Sequence, residues 1–500
     1  GMQWSAVNCL YSGWATLLKS DTESVHQLDI WRRLWNNGVG DRVAVETWPA
    51  VVPPDPSETP AAAFRVVGTH AGFSDSIGAN TLGCDISALA PAHDGWLSFT
   101  FERSAPPIVD LPPADQAPPI PDSADGLYHG ERLDLTSVNL GEHLRDMQNK
   151  KKFASQVVLH LHGKGEARTG PVSVKGTNLV LFFEPPEKDA EALVLVPRNA
   201  AGHDGLIEVE SGSCELLGGK IRFPNTRSLP VPQYLVKVQG GHLYMAGCQL
   251  EGPTSELPGS YRGLVHFTGS GAATADELQE CAVADCVLLS GLSCIHAVGP
   301  GTRVRVQNSV LVSGSHALWV EPLAGTATRL NCQCILERNT IAAQRGMLRV
   351  SDGAQLPPVV DPVVVQAKAN VFIDVFGGGQ RRSGLLSVDA DAFGHGLIAW
   401  QGDANVYDKQ LQYYVSVQNQ TSPVAAQPYA GFARLWGAGG DRRPVVFDMP
   451  WRQFDLAKPQ LDRLALPEAL RNRIRGQKPG ADFEQLGLVK KPKKKQAQNP

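Results

Sequence analysis

Five hundred residues exceed one ordinary compact core and predict two or three domains. Lys+Arg 46 against Asp+Glu 50 leaves a formal net charge of −4, which excludes the global basic field of a nucleic-acid binder. Hydrophobic residues at 42% with 19% charged exclude a disordered chain, and no run of 18 apolar residues offers membrane insertion.

Fifty glycines and 36 prolines predict many turns and short elements, hence an all-β chain. The first twenty residues lack a basic start and an apolar run, so no signal peptide is read there. The nine cysteines form no CxxC and no Cys/His zinc spacing, and no metal or cofactor is expected. Cys332 and Cys334 are too close in sequence for a relaxed disulfide, and the cysteines are expected to be free, buried, small apolar residues.

In chain order, residues 1–104 come first, and their motifs return near the C-terminus. Arg33-Leu-Trp-Asn-Asn-Gly-Val-Gly-Asp-Arg reappears as Arg434-Leu-Trp-Gly-Ala-Gly-Gly-Asp-Arg, and Asn8-Cys-Leu-Tyr is answered by Asn405-Val-Tyr. Gly78-Ala-Asn-Thr-Leu-Gly matches Gly480-Ala-Asp-Phe-Glu-Gln-Leu-Gly. The spacing from the preceding Trp is 43 residues in one copy (Trp35) and 44 in the other (Trp436). A Pro-rich stretch at 105–130 then reads as a stiff linker. Asn139 with Glu142 makes a capping box, and Leu140, Leu144 and Met147 share one face of the amphipathic helix that follows.

From about Gln156 to Asn419 short β-rich runs recur. Gly205-Leu-Ile-Glu-Val, Tyr234-Leu-Val-Lys-Val, Gly263-Leu-Val-His-Phe, Ser293-Cys-Ile-His-Ala, His316-Ala-Leu-Trp-Val, Gly346-Met-Leu-Arg-Val and Gly384-Leu-Leu-Ser-Val are spaced by 29, 29, 30, 23, 30 and 38 residues. A second signature accompanies them: Gly212-Ser-Cys-Glu-Leu, Ala246-Gly-Cys-Gln-Leu, Ala284-Asp-Cys-Val-Leu, Gln307-Asn-Ser-Val-Leu, Ala369-Asn-Val-Phe-Ile and Ala404-Asn-Val-Tyr. Such a period means a solenoid. Alternation with period two over four to six residues excludes helical repeats, and three short strands per coil fit a parallel β-helix. Cys and Asn at aligned corners are expected to stack as ladders that satisfy turn backbone groups.

The coil pattern, the capping helix and the Asn/Cys corners resemble the right-handed parallel β-helix, or pectin-lyase-like, superfamily over roughly residues 135–420. The implied fold is all-β, a right-handed single-stranded parallel β-helix with an N-terminal capping helix and flanking irregular segments. On this reading 131–420 is the solenoid, 421–488 its closing coil and tail, and 489–500 a basic solvated end. Residues 1–104 then read as the remnant of a second β-helix, in a fragment of a longer tandem protein. The missing sister unit or a neighbouring chain is its expected partner. The closing segment also resembles, loosely, regions appended to large bacterial protein-kinase-related proteins, although no kinase motif stands in the chain.

The superfamily hosts lyases, hydrolases, epimerases and inert adhesins, so the site must decide. Asp389-Ala-Asp391-Ala-Phe-Gly394-His395-Gly396 contains the carboxylates and Gly-His-Gly of polygalacturonase-like hydrolases, making Asp389, Asp391 and His395 the catalytic candidates. The accompanying Asn-x-Asp and Arg-Ile-Lys coils of those enzymes have no counterpart. Arg303 and Arg305 share a strand face and are candidates for binding a uronate carboxylate, as a lyase requires. His160 and His162 are also i, i+2 but lack a third metal ligand. Most weight falls on a non-catalytic scaffold or glycan-binding module of a larger bacterial protein, at or outside the envelope, with polysaccharide as partner. The alternatives are a polysaccharide lyase or glycoside hydrolase, and an accessory region of a kinase-related protein. A glycan-binding groove would show Trp, Tyr and charges clustered on one coil face.

Overall fold

Strand Gln156–His162 shows how this chain builds a wall: Val157, Leu159 and Leu161 are buried while the residues between them face outward. That alternation repeats along a computed structural model that describes residues 129–150, 155–186, 191–198, 202–224, 231–254, 260–269, 278–322, 332–351, 362–374, 384–389, 398–411, 413–418, 429, 432–433, 436, 440–449, 454–467, 470 and 478–489, and four short strands before residue 45. The chain divides into two compact units, Gly1–Ser104 and Ala105–Pro500. In the first, Leu10–Ser12 pairs in parallel with Arg42–Ala44, and Leu18–Lys19 pairs antiparallel with Ser24–Val25.

The second unit is a parallel β-helix-like solenoid of three sheets, with eleven, ten and nine strands. Each coil gives one strand to each sheet in turn, as Asn178–Phe183, Val194–Pro197 and Gly205–Glu210 do. In the nine-stranded sheet Ile207, Val236, Val265, Ile295, Leu318, Leu348 and Leu386 stand directly above one another. Their spacing in sequence is that of the repeats, so the sequence period is the pairing register. Stacking these inward residues buries one continuous apolar core.

The corner entering the ten-stranded sheet carries the expected ladder. The backbone N–H of Cys248 donates to Cys286 Sγ (3.4 Å), that of Cys286 to Ser309 Oγ (3.0 Å), and that of Ser309 to Asn339 Oδ1 (2.9 Å). Asn339 N–H donates in turn to Asn370 Oδ1, and Asn370 N–H to Asn405 Oδ1, each at 3.0 Å. Gly247, Asp285, Asn308, Arg338, Ala369 and Ala404 immediately precede these residues and turn the chain in left-handed backbone, with φ between 44° and 64°. One member of the sequence signature is corrected and one rung is added. Cys214 lies within strand Ser213–Leu217 of the eleven-stranded sheet, and Asn339, which the signature omits, holds a rung. All seven described cysteines are buried thiols outside any disulfide.

The helix Leu140–Asn149 lies beside the first coils. Asn139 Oδ1 accepts from the N–H of Glu142 (3.2 Å) and of Gly170 (3.2 Å), tying the helix start to a strand end. Leu140 and Leu144 are buried, with Met147 packed against the same core. Gly141 permits this approach, because a Cβ there would stand 2.5 Å from the Gly170 carbonyl oxygen. Toward the last coil, Tyr407, Tyr414, Tyr429 and Phe432 pack as one aromatic cluster, with Trp436 6.1 Å from Phe432. Trp31, Trp35, Trp48 and Trp451 lie outside the described residues.

The outer face of the ten-stranded sheet changes character along the solenoid. Lys220, Arg222, Gln249 and Glu251 face outward in early coils, whereas Val310, Val312, Ala342, Val371, Ile373 and Val406 do so later. Met449, Leu464, Leu466, Leu470, Ala481 and Phe483 of the closing segment cover that apolar stretch. Backbone hydrogen bonds fasten the strap: Gly480 N–H to the Ala369 carbonyl (2.8 Å), Ala481 N–H to Thr340 Oγ1 (3.2 Å) and Asp482 N–H to Asn308 Oδ1 (2.6 Å).

Candidate functional site

A period-two strand turns every second residue outward, and a fixed register stacks those residues across coils about 4.8 Å apart. On the nine-stranded sheet this produces one column of Glu208, Lys237, His266, His296, Trp319, Arg349 and Ser387. Each is the fourth residue of its repeat. Tyr234 and His316 stand in the neighbouring outward column, opposite Gly205 and Gly346 respectively. Glu321 and Val298 lie cross-strand in a third.

The column is a continuous stack. Tyr234 stacks on His266 (centroids 4.8 Å apart), His266 lies 5.1 Å from His296, and His296 stacks on Trp319 at 4.4 Å and 17°. The Arg349 guanidinium caps the other face of Trp319, with Cζ 4.6 Å from the ring centroid. Hydrogen bonds run through the same groups. Tyr234 Oη lies 3.1 Å from His296 Nδ1, and His296 Nε2 lies 3.0 Å from Glu321 Oε2. Trp319 Nε1 donates to Ser351 Oγ (2.8 Å), and Ser351 Oγ donates to Glu321 Oε1 (3.2 Å).

The charges follow from this packing. Burial works against ionisation of Glu321, but His296, Ser351 and Arg349 together hold its carboxyl below the usual range. An ionised Glu321 only accepts, so His296 donates to it from Nε2, with Nδ1 facing the Tyr234 hydroxyl. Burial, with the Glu321 charge second, pushes the Tyr234 phenol up to about 12. Burial and then His296 bring His266 down to about 4. Burial, with Arg349 and Arg345 adding to it, brings His316 down to about 3. The chain Tyr234–His296–Glu321 is thus preset to hold a proton at Nε2. The stacked rings cover one another's faces; Tyr234 and His296 are buried within the stack, and His266, Trp319 and Arg349 remain partly exposed.

Arg303 and Arg305 do share an outward face, on the eleven-stranded sheet. Arg303 Nε donates to Gln333 Oε1 (3.0 Å) and Arg305 pairs with Glu280 Oε1 (2.5 Å), so both bind side chains of adjacent coils. Asp391 and His395 lie outside the described residues. Asp389 ends strand Gly384–Asp389, paired with Gln418, one residue past the Val350–Val388 pair. His160 lies edge-on to Phe182 (5.3 Å), while His162 Nδ1 is 4.0 Å from Asp134 Oδ1. Among the described residues no group of three His, Cys, Asp or Glu is placed to hold a metal ion, and no helix is long and apolar enough to cross a membrane.

Neither a family model, nor a curated protein, nor a solved structure matches this chain. The functional reading therefore rests on the geometry alone. Sequence reasoning missed the stack because its members are of four residue types and far apart in the chain. The signal was present: the fourth position of seven aligned repeats reads Glu, Lys, His, His, Trp, Arg and Ser.

Proposed function

We propose that the solenoid is a non-catalytic scaffold whose nine-stranded face binds glycan, as one module of a larger bacterial protein. The observation that carries this is the aromatic and charged stack Tyr234–His266–His296–Trp319–Arg349 on one coil face. The partly exposed Lys237, His266, Trp319 and Arg349 stand in fixed register on this face, and such a preorganised aromatic and polar surface suits a saccharide laid across the coils at low entropic cost. The proposed winding is right-handed, the sense nearly all parallel strand–crossover–strand connections take. The test is a glycan array with the wild type and Trp319→Ala. The reading expects binding that the variant loses while its circular dichroism is retained, and an equal response from both would overturn it.

One observation supports a second reading, a polysaccharide lyase. Tyr234, His296 and Glu321 form a hydrogen-bonded chain of the kind that moves a proton in acid–base catalysis. Release of unsaturated sugar product, lost in His296→Gln, would support it. Glycan binding with no product formed would leave the module as a binder.

A further inference from the structure

We propose that Arg345, Arg349 and His316 form an oxyanion site for the carboxylate or sulfate ester of an acidic oligosaccharide. This rests on the glycan-binding reading and names the ligand chemistry.

Several outward cations of this solenoid pair with acids. Arg132 pairs with Glu184 at 2.7 Å, Lys175 with Glu210 at 2.7 Å, Lys220 with Glu251 at 2.6 Å and Lys237 with Asp204 at 2.6 Å. Arg305 and Arg443 pair with Glu280 (2.5 Å) and Asp403 (2.6 Å) in the same way. Among the described residues Arg345 and Arg349 have no such partner. Glu321, the acid near Arg349, already uses one oxygen on His296 and the other on Ser351.

Arg345 immediately precedes the short strand Gly346–Val350 and Arg349 lies within it, with His316 paired to Gly346 on the adjacent coil. Arg345 is exposed, and its backbone is fixed at both groups. Its carbonyl accepts from the Tyr413 hydroxyl (2.6 Å), and its N–H donates to the Ser315 carbonyl (2.9 Å). Arg349 is oriented by its stack on Trp319, and its Nε is buried without a hydrogen-bond partner. His316 leans over Gly346, where a Cβ would lie 3.1 Å from His316 Cδ2. His316 Nδ1 lies 3.2 Å from Ser315 Oγ, while Nε2 is buried and has no partner.

With both arginines nearby the imidazole stays neutral. When Nδ1 accepts from Ser315, Nε2 carries the hydrogen and is a spare donor. Two unpaired guanidiniums and one spare N–H make a set of donors with no acceptor of its own. Planar or tetrahedral oxyanions fill such a set, through fork-shaped guanidinium hydrogen bonds.

The test titrates the full chain with trigalacturonate, a sulfated disaccharide and neutral cellohexaose by calorimetry, for wild type, Arg345→Gln and Arg349→Gln. The site predicts that an acidic ligand binds and that each variant weakens it about ten-fold, the loss expected from one charge-assisted hydrogen bond. The acidic ligand that binds more tightly identifies carboxylate or sulfate. Arg345 is exposed, so its variant keeps the fold and guards against a misfolded Arg349→Gln. Acidic binding untouched by both variants, or neutral binding alone, overturns the oxyanion site but leaves the glycan-binding face standing. No binding by any of the three saccharides overturns both.

Discussion

The side-chain oxygen of Asn370 accepts from the backbone N–H of Asn339 at 3.0 Å, while Asn370 Nδ2 donates to the Leu336 carbonyl at 2.8 Å. One buried amide therefore satisfies an N–H and a carbonyl of the turn on the preceding coil, and Asn405 does the same for Asn370 N–H and the Ala367 carbonyl. Asn370→Ala strands these groups in the interior and is expected to destabilise by about 2–4 kcal/mol. Asn370→Ser should be milder, because Ser309 fills an equivalent rung. Urea unfolding of the three proteins checks the order.

Glycines in this chain divide by what surrounds them. At Gly241 a Cβ would be driven into the Gly212 carbonyl on the adjacent coil, so Gly241→Ala is expected to cost about 3 kcal/mol or more. At Gly176 (φ 64°) nothing lies within 4 Å, so Ala carries only the left-handed backbone penalty of about 1–2 kcal/mol. Paired thermal melts should rank Gly241→Ala well below Gly176→Ala.

Stability should fall as pH rises from 5 to 7. Burial pushes the carboxyls of Asp408 and Asp441 up to about 6, from an ordinary value of 3.8. An acid raised on folding contributes stability that is complete below its unfolded value and lost as pH rises through its folded value. Glu184 runs oppositely: hydrogen-bonded by Arg132, it is held below its ordinary 4.5, so its contribution is lost under more acid conditions. Losses on the alkaline side thus begin above the unfolded aspartate value and losses on the acid side below the unfolded glutamate value, so the melting temperature should peak near pH 4. Asp441→Asn should reduce the fall between pH 5 and 7, and an unchanged profile would count against this assignment.

Much of the fold was legible because the chemistry is periodic. The register of Ile207 on Val236 and of Ile295 on Leu318 equals the sequence interval, whether the coil is long or short. Asn139 was readable as a cap from its neighbours alone. The functional face was not readable in the same way. Along a strand, same-face residues such as Arg303 and Arg305 lie about 6.6–6.8 Å apart, whereas the next coil is only about 4.8 Å away. Side chains therefore bond down columns: Arg303 finds Gln333 and Arg305 finds Glu280, not each other's ligand. Spacing within one strand emphasised the pair, and the column His266–His296–Trp319 emerges only after the coils are aligned.

The strap also follows from column chemistry. Phe483 is 2% exposed against Val310, Val371 and their neighbours. Phe483→Ala should weaken docking by about 3–5 kcal/mol. Limited proteolysis would then cut within 478–489 faster than in the wild type, and equal rates would mean the strap is held elsewhere.

The most direct test of the binding face is hydroxyl-radical footprinting with and without saturating trigalacturonate. The account predicts reduced oxidation of the partly exposed His266 and Trp319, with no change at Tyr244 on the eleven-stranded sheet. Protection confined to the eleven-stranded face around Tyr244, with the Trp319 column oxidised as before, would contradict it.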